Sequence, residues 1–341
     1  MTGQRAATEP VRGWVEQLAG GPVRDAQTEL KPLRGGIEAA HVALATIRYR
    51  DAAGRPRVLR YVRKQLNGRG LREATVHQRL AAKYAARMSP RFFAVEHHAP
   101  DVAILCIEAI RRTRSWPWGD RRVGSMVLRR VAELHAGAPG AAAALPPWDY
   151  DSEIGSSAEA TLTAVEGCRA DPDLALLGKH LAPLRRIVLA LPRLRRELLS
   201  ERPFASVPIH GDLHTGNVLL RRNGAGEEPV LLDWGRARIG SPFEDVSSWL
   251  QSLGYWEPEA RRFHDTLLAA YLAALGMEQR LTPQIRGAYW LAGASNALAG
   301  ALLYHLSIAA DRQHGRARRC AALHAASDWL RVIRRADAWS G

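Results

Sequence analysis

His210-Gly211-Asp212-Leu213-His214-Thr215-Gly216-Asn217, followed by Leu231-Leu232-Asp233-Trp234-Gly235, is the stretch on which the reading of this chain turns. Asp212 stands five residues before Asn217, and Asp233 sixteen residues after it. Val207 to Leu220 and Pro229 to Asp233 are β-rich segments that straddle the turn Arg222-Asn223-Gly224. Two ordinary polar turns would account for a lone His-Gly-Asp. They do not account for Asp, Asn and Asp-aromatic-Gly arriving in one order at this spacing. Asn is scarce here, occurring only at 67, 217, 223 and 296.

That order is the one phosphoryl transfer requires. An alcohol is a poor nucleophile, and a carboxylate at 212 would accept its hydrogen bond and hold it in line with a terminal phosphorus. Asn217 offers a neutral amide oxygen and Asp233 a carboxylate, both hard donors suited to Mg²⁺, which neutralises charge on phosphate oxygens.

Working outward, Pro10 to Ala19 reads as a short helix ending at Gly20-Gly21. Val42 to Tyr49 and Arg57 to Leu66 read as strands joined by a hairpin turn at Asp51-Ala52-Ala53-Gly54. Val76, Leu80 and Tyr84 give helical spacing to Glu73–Met88, which Ser89-Pro90 stops. Val102 to Ile107 is a continuous apolar run, the pattern of a strand buried on both faces. Beyond it the pattern is helical: Met126 to His135, an Ala/Gly/Pro linker from Ala136 to Pro147, helices between Glu159 and Leu199, and helices again from Asp245 onward. The expected fold class is α+β and bilobal, a small β-rich N-terminal lobe at residues 1–108 and a large, mostly helical C-terminal lobe at 109–341.

With His210 to Asn217 and Asp233 in place, the chain resembles the aminoglycoside phosphotransferase family, which includes choline and homoserine kinases and shares the protein-kinase fold. The resemblance runs from about Leu33 to Asp245, by layout more than by residues in its N-terminal part. Thr215 departs from it, standing where many relatives have proline. The resemblance implies ATP and Mg²⁺ as cofactors, Asp212 as the catalytic carboxylate, and Asn217 and Asp233 as metal ligands. It implies that Lys64 contacts the α- and β-phosphates. One of only four lysines among 48 basic residues stands there, with Arg60 on the same strand face as its rival. Glu73, the only acid between Gln65 and Val95, is the carboxylate that would orient Lys64. Gly35-Gly36 would close backbone N–H groups over the phosphates, a plain hairpin turn being the other reading. The Glu108 carbonyl and Ile110 amide would pair with adenine. His210 would brace the catalytic loop, and Asp245 would anchor the following helix against it. For Trp234, Trp249 and Trp256 core packing is expected ahead of a pocket lining.

The rest of the sequence bounds the partners. A formal charge of +14 invites a nucleic-acid reading. Arginine supplies nearly all of it in an Ala-rich chain, the mark of coding bias, and the basic run Arg48–Arg72 reads as a solvated face. No nucleic-acid partner is expected. Cys106, Cys168 and Cys320 are too scattered for a disulfide framework or zinc site and, with no apolar leader at the N-terminus, fit a cytoplasmic protein. Gly287 to Ala310 lacks Asp, Glu, Lys and Arg and is long enough to span a bilayer. Its Ala, Gly, Ser, Asn and His content favours a helix buried within protein, and no membrane partner is expected.

The expected activity is therefore transfer of the γ-phosphate of ATP to a hydroxyl of a small molecule: an aminoglycoside-like antibiotic, sugar or amino alcohol. A kinase acting on a protein is the first alternative. Only nine residues separate Gly235 from Asp245, leaving little room for a peptide-presenting loop, and Gly211 replaces the arginine that reads a phosphorylated loop in many protein kinases. A non-catalytic nucleotide- or nucleic-acid-binding module is the second; the intact set of Lys64, Asp212, Asn217 and Asp233 disfavours it. Asp149, Asp151 and Glu244 are acids that could grip a cationic acceptor, although Trp148 to Glu153 also reads as an exposed linker.

Overall fold

A computed structural model describes residues 4–6, 9–33, 39–137, 140–200, 206–224 and 226–340. The glycine pair at 35–36 lies outside the described residues.

The chain forms two compact units that are not consecutive stretches of sequence. The first holds residues 1–115, 143–146 and 217–236, so it runs past the boundary expected at 108 and takes in the second half of the motif. The second holds 116–142, 147–216 and 237–341.

In the first unit, strands β1 (Gln4–Ala6), β2 (Arg24–Pro32), β3 (Ala39–Arg50), β4 (Pro56–Asn67), β5 (Phe92–Ala99) and β6 (Val102–Glu108) form one sheet. Its order is β1-β2-β3-β4-β6-β5, every pair antiparallel. Alternation along the strands assigns each face. Ile104 and Cys106 of β6 turn with Ala45, Ile47 and Tyr61 toward α1 (Glu9–Ala19), while Leu105 and Ile107 turn with Leu66 toward Ala74. The apolar run at 102–107 is thus a strand covered on both faces, as its composition required. Trp14 of α1 meets Tyr61 edge-on at 5.0 Å and stacks on Phe93 at 5.5 Å, fixing the helix on the sheet. Each large side chain so buried contributes roughly 1.5–3 kcal/mol.

Opposite α1, the helix expected from Glu73 to Met88 is shorter and irregular. It begins as α2 (Leu71–Val76), widens by a turn of π type at His77–Ala81, and ends as α3 (Ala82–Tyr84). Lys64 lies in β4 at the centre of the sheet, with Val42 across from it on one side and Leu105 on the other.

The second unit is helical: α4 (Arg121–His135), α5 (Tyr150–Gly167), α6 (Leu181–Ser200), α7 (Pro242–Trp256), α8 (His264–Ala274), α9 (Pro283–Asn296), α10 (Leu302–Ala310) and α11 (Arg316–Ser340). Side chains cap the helices where the sequence supplies them: Asp120 accepts from Arg122 N before α4, and Thr282 from Ile285 N before α9. Helix α5 starts at Tyr150, nine residues earlier than expected, because Asp149 caps it. Two short strands, β7 (Val207–Ile209) and β10 (Arg238–Gly240), pair antiparallel within this unit, while the hairpin of β8 (Val218–Asn223) and β9 (Gly226–Leu231) belongs to the first.

The uncharged segment at 287–310 is α9, a wide turn at Ala297–Ala301 with Gly300 at φ 125°, and α10. Pro283–Ala310 is long and apolar enough to cross a membrane by length and composition; here it packs against α6, α7 and α11, with 56% of its most apolar window buried. Trp234 and Trp249 are fully buried, as expected for core residues, whereas Trp256 is 58% exposed at the end of α7 and does not join the core.

Candidate functional site

In the sheet unit a cation is held between two acids. Lys64 Nζ lies 2.6 and 2.7 Å from the two carboxylate oxygens of Glu73 and 3.4 Å from Asp233 Oδ1. The period of β4 aims Lys64, with Val62 and Leu66, at the face that carries α2, and Glu73 stands in the first turn of that helix. Burial works against the lysine's charge, but Glu73 and then Asp233 more than offset it, and its pKa is raised above the ordinary value. Glu73 is itself buried, and His77, one helical turn on, places Nε2 3.9 Å from Glu73 Oε1. Arg60, the rival on the same face, is exposed.

Asp233 reaches this cluster through an unusual backbone. Its φ is 61°, in the left-handed region that non-glycine residues seldom occupy. Leu231 N donates to Met88 O at 2.7 Å, Leu232 N to Asn217 O at 2.8 Å, and the buried Trp234 indole to Leu231 O at 2.9 Å, so the turn is pinned on both sides of Asp233. The second of these bonds ties the Asn217 backbone to the Asp233 turn. Asp233's side chain remains 35% exposed beside the lysine.

Glu108 and Ile110 border a hollow of about 470 Å³ whose wall continues through Arg111 and Thr113 to Arg221 and Arg222. The Glu108 carboxylate is engaged by Arg221 at 2.9 Å and by Arg91 N at 3.1 Å. Its backbone N–H donates to Arg91 O at 2.8 Å.

The other half of the motif lies in the helical unit, where a buried acid organises the loop around Asp212. Asp245, fully buried in the first turn of α7, accepts from His210 N at 2.7 Å and Gly211 N at 2.8 Å. His135 Nε2 lies 3.1 Å from the same carboxylate, and its Nδ1 2.7 Å from the Tyr271 hydroxyl. The bond to the carboxylate places a proton on Nε2. Burial pushes the Asp245 pKa up; the hydrogen bond and charge of His135, with His210, outweigh it and hold the group below the ordinary carboxylate value. Gly211 takes φ 79°, which favours glycine. Asp212 leaves this frame with its side chain 39% exposed, its backbone N–H on His210 Nδ1 at 3.4 Å, and His214 Nε2 3.8 Å from its carboxylate. Thr215 N donates to Ser252 Oγ of α7 at 3.1 Å, so the helix holds the loop at a second point.

Glu244, expected among acids reaching an acceptor, is committed elsewhere. It is buried, completes the capping box of α7 with Ser241, and binds Arg195 at 2.5 Å and Arg238 at 3.4 Å. Burial raises its pKa, but Arg195 and then Arg238 more than offset this and hold it below the ordinary value. Arg238 also donates to Gly211 O at 3.1 Å and lies 3.7 Å from the ring centre of Tyr150. Asp149 caps α5 by accepting from Ser152 N at 3.2 Å. Asp151 binds Arg195 at 3.0 Å and remains 70% exposed. The stretch expected as either an amine grip or a linker is therefore the start of a helix set against Arg238, with Asp149 and Asp151 both exposed. Sequence reasoning did not single out His135, Tyr271, Arg195 or Arg238; they precede or follow the motif by tens of residues or carry no local pattern.

The fold is shared with solved kinases. Choline kinase from Cryptosporidium parvum Iowa II is similar at 14% identity, covering 90% of this chain and 89% of its own, with a TM-score of 0.59. Ethanolamine kinase of Plasmodium vivax matches at 12% identity, 91% and 83% coverage and a TM-score of 0.58. An aminoglycoside phosphotransferase of Streptomyces rimosus, solved with ADP and streptomycin, matches at 18% identity, 79% and 92% coverage and a TM-score of 0.50. These likenesses establish the α+β, bilobal, protein-kinase-like fold. No curated protein matches the chain by sequence. The model of the phosphotransferase enzyme family, by contrast, matches residues 29–287, well over half of the chain and both parts of the motif, and the chain belongs to that family.

Proposed function

We propose that the protein is an ATP- and Mg²⁺-dependent kinase that transfers the γ-phosphate to a hydroxyl of a small molecule. The observation that carries this reading is the Lys64–Glu73–Asp233 cluster, an ammonium held between two acids beside a strained, pinned turn. Such an arrangement has no need to exist for folding, since a buried ion pair is a poor source of stability. It suits a cation kept charged and aimed at phosphate oxygens. The solved S. rimosus relative carries ADP, which supports a nucleotide as the donor.

Among the described residues no three His, Cys, Asp or Glu side chains converge to hold a metal by themselves. Asn217 and Asp233 supply one amide and one carboxylate oxygen, which fits Mg²⁺ that arrives with phosphate ligands of its own. When bound, the metal would neutralise charge on the phosphates. Lys64 would bind the α- and β-phosphates, Glu73 would orient Lys64, and the backbone at Glu108 and Ile110 would receive the base. Asp212 would accept the hydrogen bond of the acceptor hydroxyl, keep the oxygen turned toward phosphorus, and take up its proton as the new P–O bond forms and the bond from the γ-phosphorus to the bridging oxygen breaks, that oxygen leaving with ADP. Asp245, braced by His135, and Arg238 hold the backbone just before that carboxylate, and Ser252 holds it just after, at Thr215. An acceptor with an amine would find Asp151; sugars and amino alcohols stand beside aminoglycosides as candidate acceptors. A cytoplasmic location fits the scattered thiols.

Coupled ADP release over aminoglycosides, macrolides, sugars, amino alcohols and homoserine tests the proposal. Turnover that needs Mg²⁺ and disappears in Asp212→Asn while nucleotide affinity is kept is the expected result. Full turnover in Asp212→Asn would remove the assigned role.

A further inference from the structure

A second hollow, of about 310 Å³, opens in the helical unit among α7, α8, α9 and α11. Its place on α7 separates it from the catalytic loop. Asp245 and Ser252 both hold that loop, and seven residues bring a helix back to nearly the same face. Leu250 and Gln251, which line the hollow, lie roughly 140° and 240° around the helix from Asp245. The hollow therefore backs onto the far side of α7.

Its lining carries five guanidiniums against two carboxylates. Arg286 is held by Asp265 at 2.9 and 3.0 Å, and Arg261 and Arg331 both bind Asp328. Arg335 differs. Among the described residues it makes no ion pair or hydrogen bond to a carboxylate, acting on Asp265 only through space, and it lies over the ring of Trp290, 4.4 Å from its centre. Beneath these charges the wall is firm: Tyr289 is buried and its hydroxyl accepts from Gln251 Nε2 at 2.8 Å, while Leu268 and Val332 are buried beside it. Anchored guanidiniums around a rigid aromatic floor suit bidentate recognition of anionic oxygens, and the volume falls at the small end of the about 300–1,000 Å³ found for small-molecule sites.

We propose that this hollow is a binding site for a small organic polyanion, a ligand with two or more carboxylate or phosphate groups, distinct from the nucleotide and acceptor sites. Arg335 supplies the uncommitted charge and Trp290 the surface against which the ligand's apolar part rests. The proposal does not depend on the kinase reading.

Calorimetric titration of the full chain with trimesate and, separately, with fructose 1,6-bisphosphate tests it. Expected is saturable binding of one probe molecule per chain, weakened by salt and at least about tenfold weaker in Arg335→Ser, a surface change that leaves folding and basal turnover intact. Tighter binding of trimesate would mark a carboxylate ligand, and tighter binding of the bisphosphate a phosphate ester. Absence of saturable binding by either probe, or equal affinity in wild type, Arg335→Ser and Trp290→Leu, would overturn the proposal, as would retention on nucleic acid with no response to either small anion.

Discussion

Asp233 and Asp245 are both aspartates held by the backbone around them, and they are used in opposite ways. Asp245 is sealed in the helical unit, its oxygens taken by two backbone N–H groups and His135. Asp233 stands in the sheet unit on a strained turn, with its carboxylate partly in solvent beside Lys64. The first spends its charge on holding a loop; the second keeps capacity for a ligand. On the proposed function, burial of the oxygens, rather than residue type or proximity to the motif, separates a framework acid from one placed to do chemistry. Glu244 falls with Asp245, and Asp212 with Asp233.

Substitutions can break this division. The largest effect is expected for Asp212→Ala, with turnover reduced by about 10²–10⁴ in coupled assays while thermal stability stays near wild type, since the lost carboxylate is partly exposed. Next comes Asp245→Ala, which leaves the His210 and Gly211 amides and His135 without their shared acceptor. We expect a loss of about 3–5 kcal/mol in urea unfolding, with activity failing only as the fold does. If Asp245→Ala instead kept full stability and lost turnover, the contrast between the two classes of acid would be false.

Acid unfolding sharpens the same point. The pKa values of Asp245 and Glu244 lie below their ordinary values of 3.8 and 4.5, so the folded state binds these protons less readily than the unfolded state. Their contribution is present above those ordinary values and is lost as pH falls below them toward the folded-state pKa values. Urea midpoints measured from about pH 6 down to about pH 3 should fall steeply for the wild type and less steeply for Glu244→Gln. A smaller effect on activity is expected for Lys64→Met, about tenfold to a hundredfold in kcat/KM for ATP, with a lowered melting temperature because Glu73 stays buried without its ammonium. The smallest is Asp151→Asn, below about 1 kcal/mol in stability because the Asp151 carboxylate is 70% exposed and the buried Arg195 keeps Glu244 as its partner. Its informative readout is KM for a cationic acceptor, which should rise if that acid is where an amine binds.

Much of this could be read from the sequence, and the reason is local. His210–Asn217 and Asp233 announce themselves because phosphate chemistry needs particular atoms at particular intervals. The strands at 57–66 and 102–107 could be read because runs of apolar and β-branched residues map onto strands covered on both faces. What escaped depends on distant partners. Nothing in Pro242-Phe243-Glu244 says that Arg195 and Arg238 will claim the glutamate. Nothing near 218–231 says that the hairpin will join the sheet unit, a choice made by bonds such as Leu231 N to Met88 O. The wide turn at His77–Ala81 lacks the Gly or Pro that would betray it, and Trp256 is exposed although Trp249, two turns earlier on the same helix, is buried.

The left-handed backbone at Asp233 also dictates how that residue should be interrogated. Alanine there would delete the carboxylate and at the same time impose roughly 1 kcal/mol or more of steric strain, confounding two losses in one number. Glycine accepts the conformation and removes the carboxylate without that steric strain, and asparagine tolerates it while removing the charge and keeping an oxygen. At this position, unlike most of the chain, the conventional truncation is the ambiguous control and glycine the clean one.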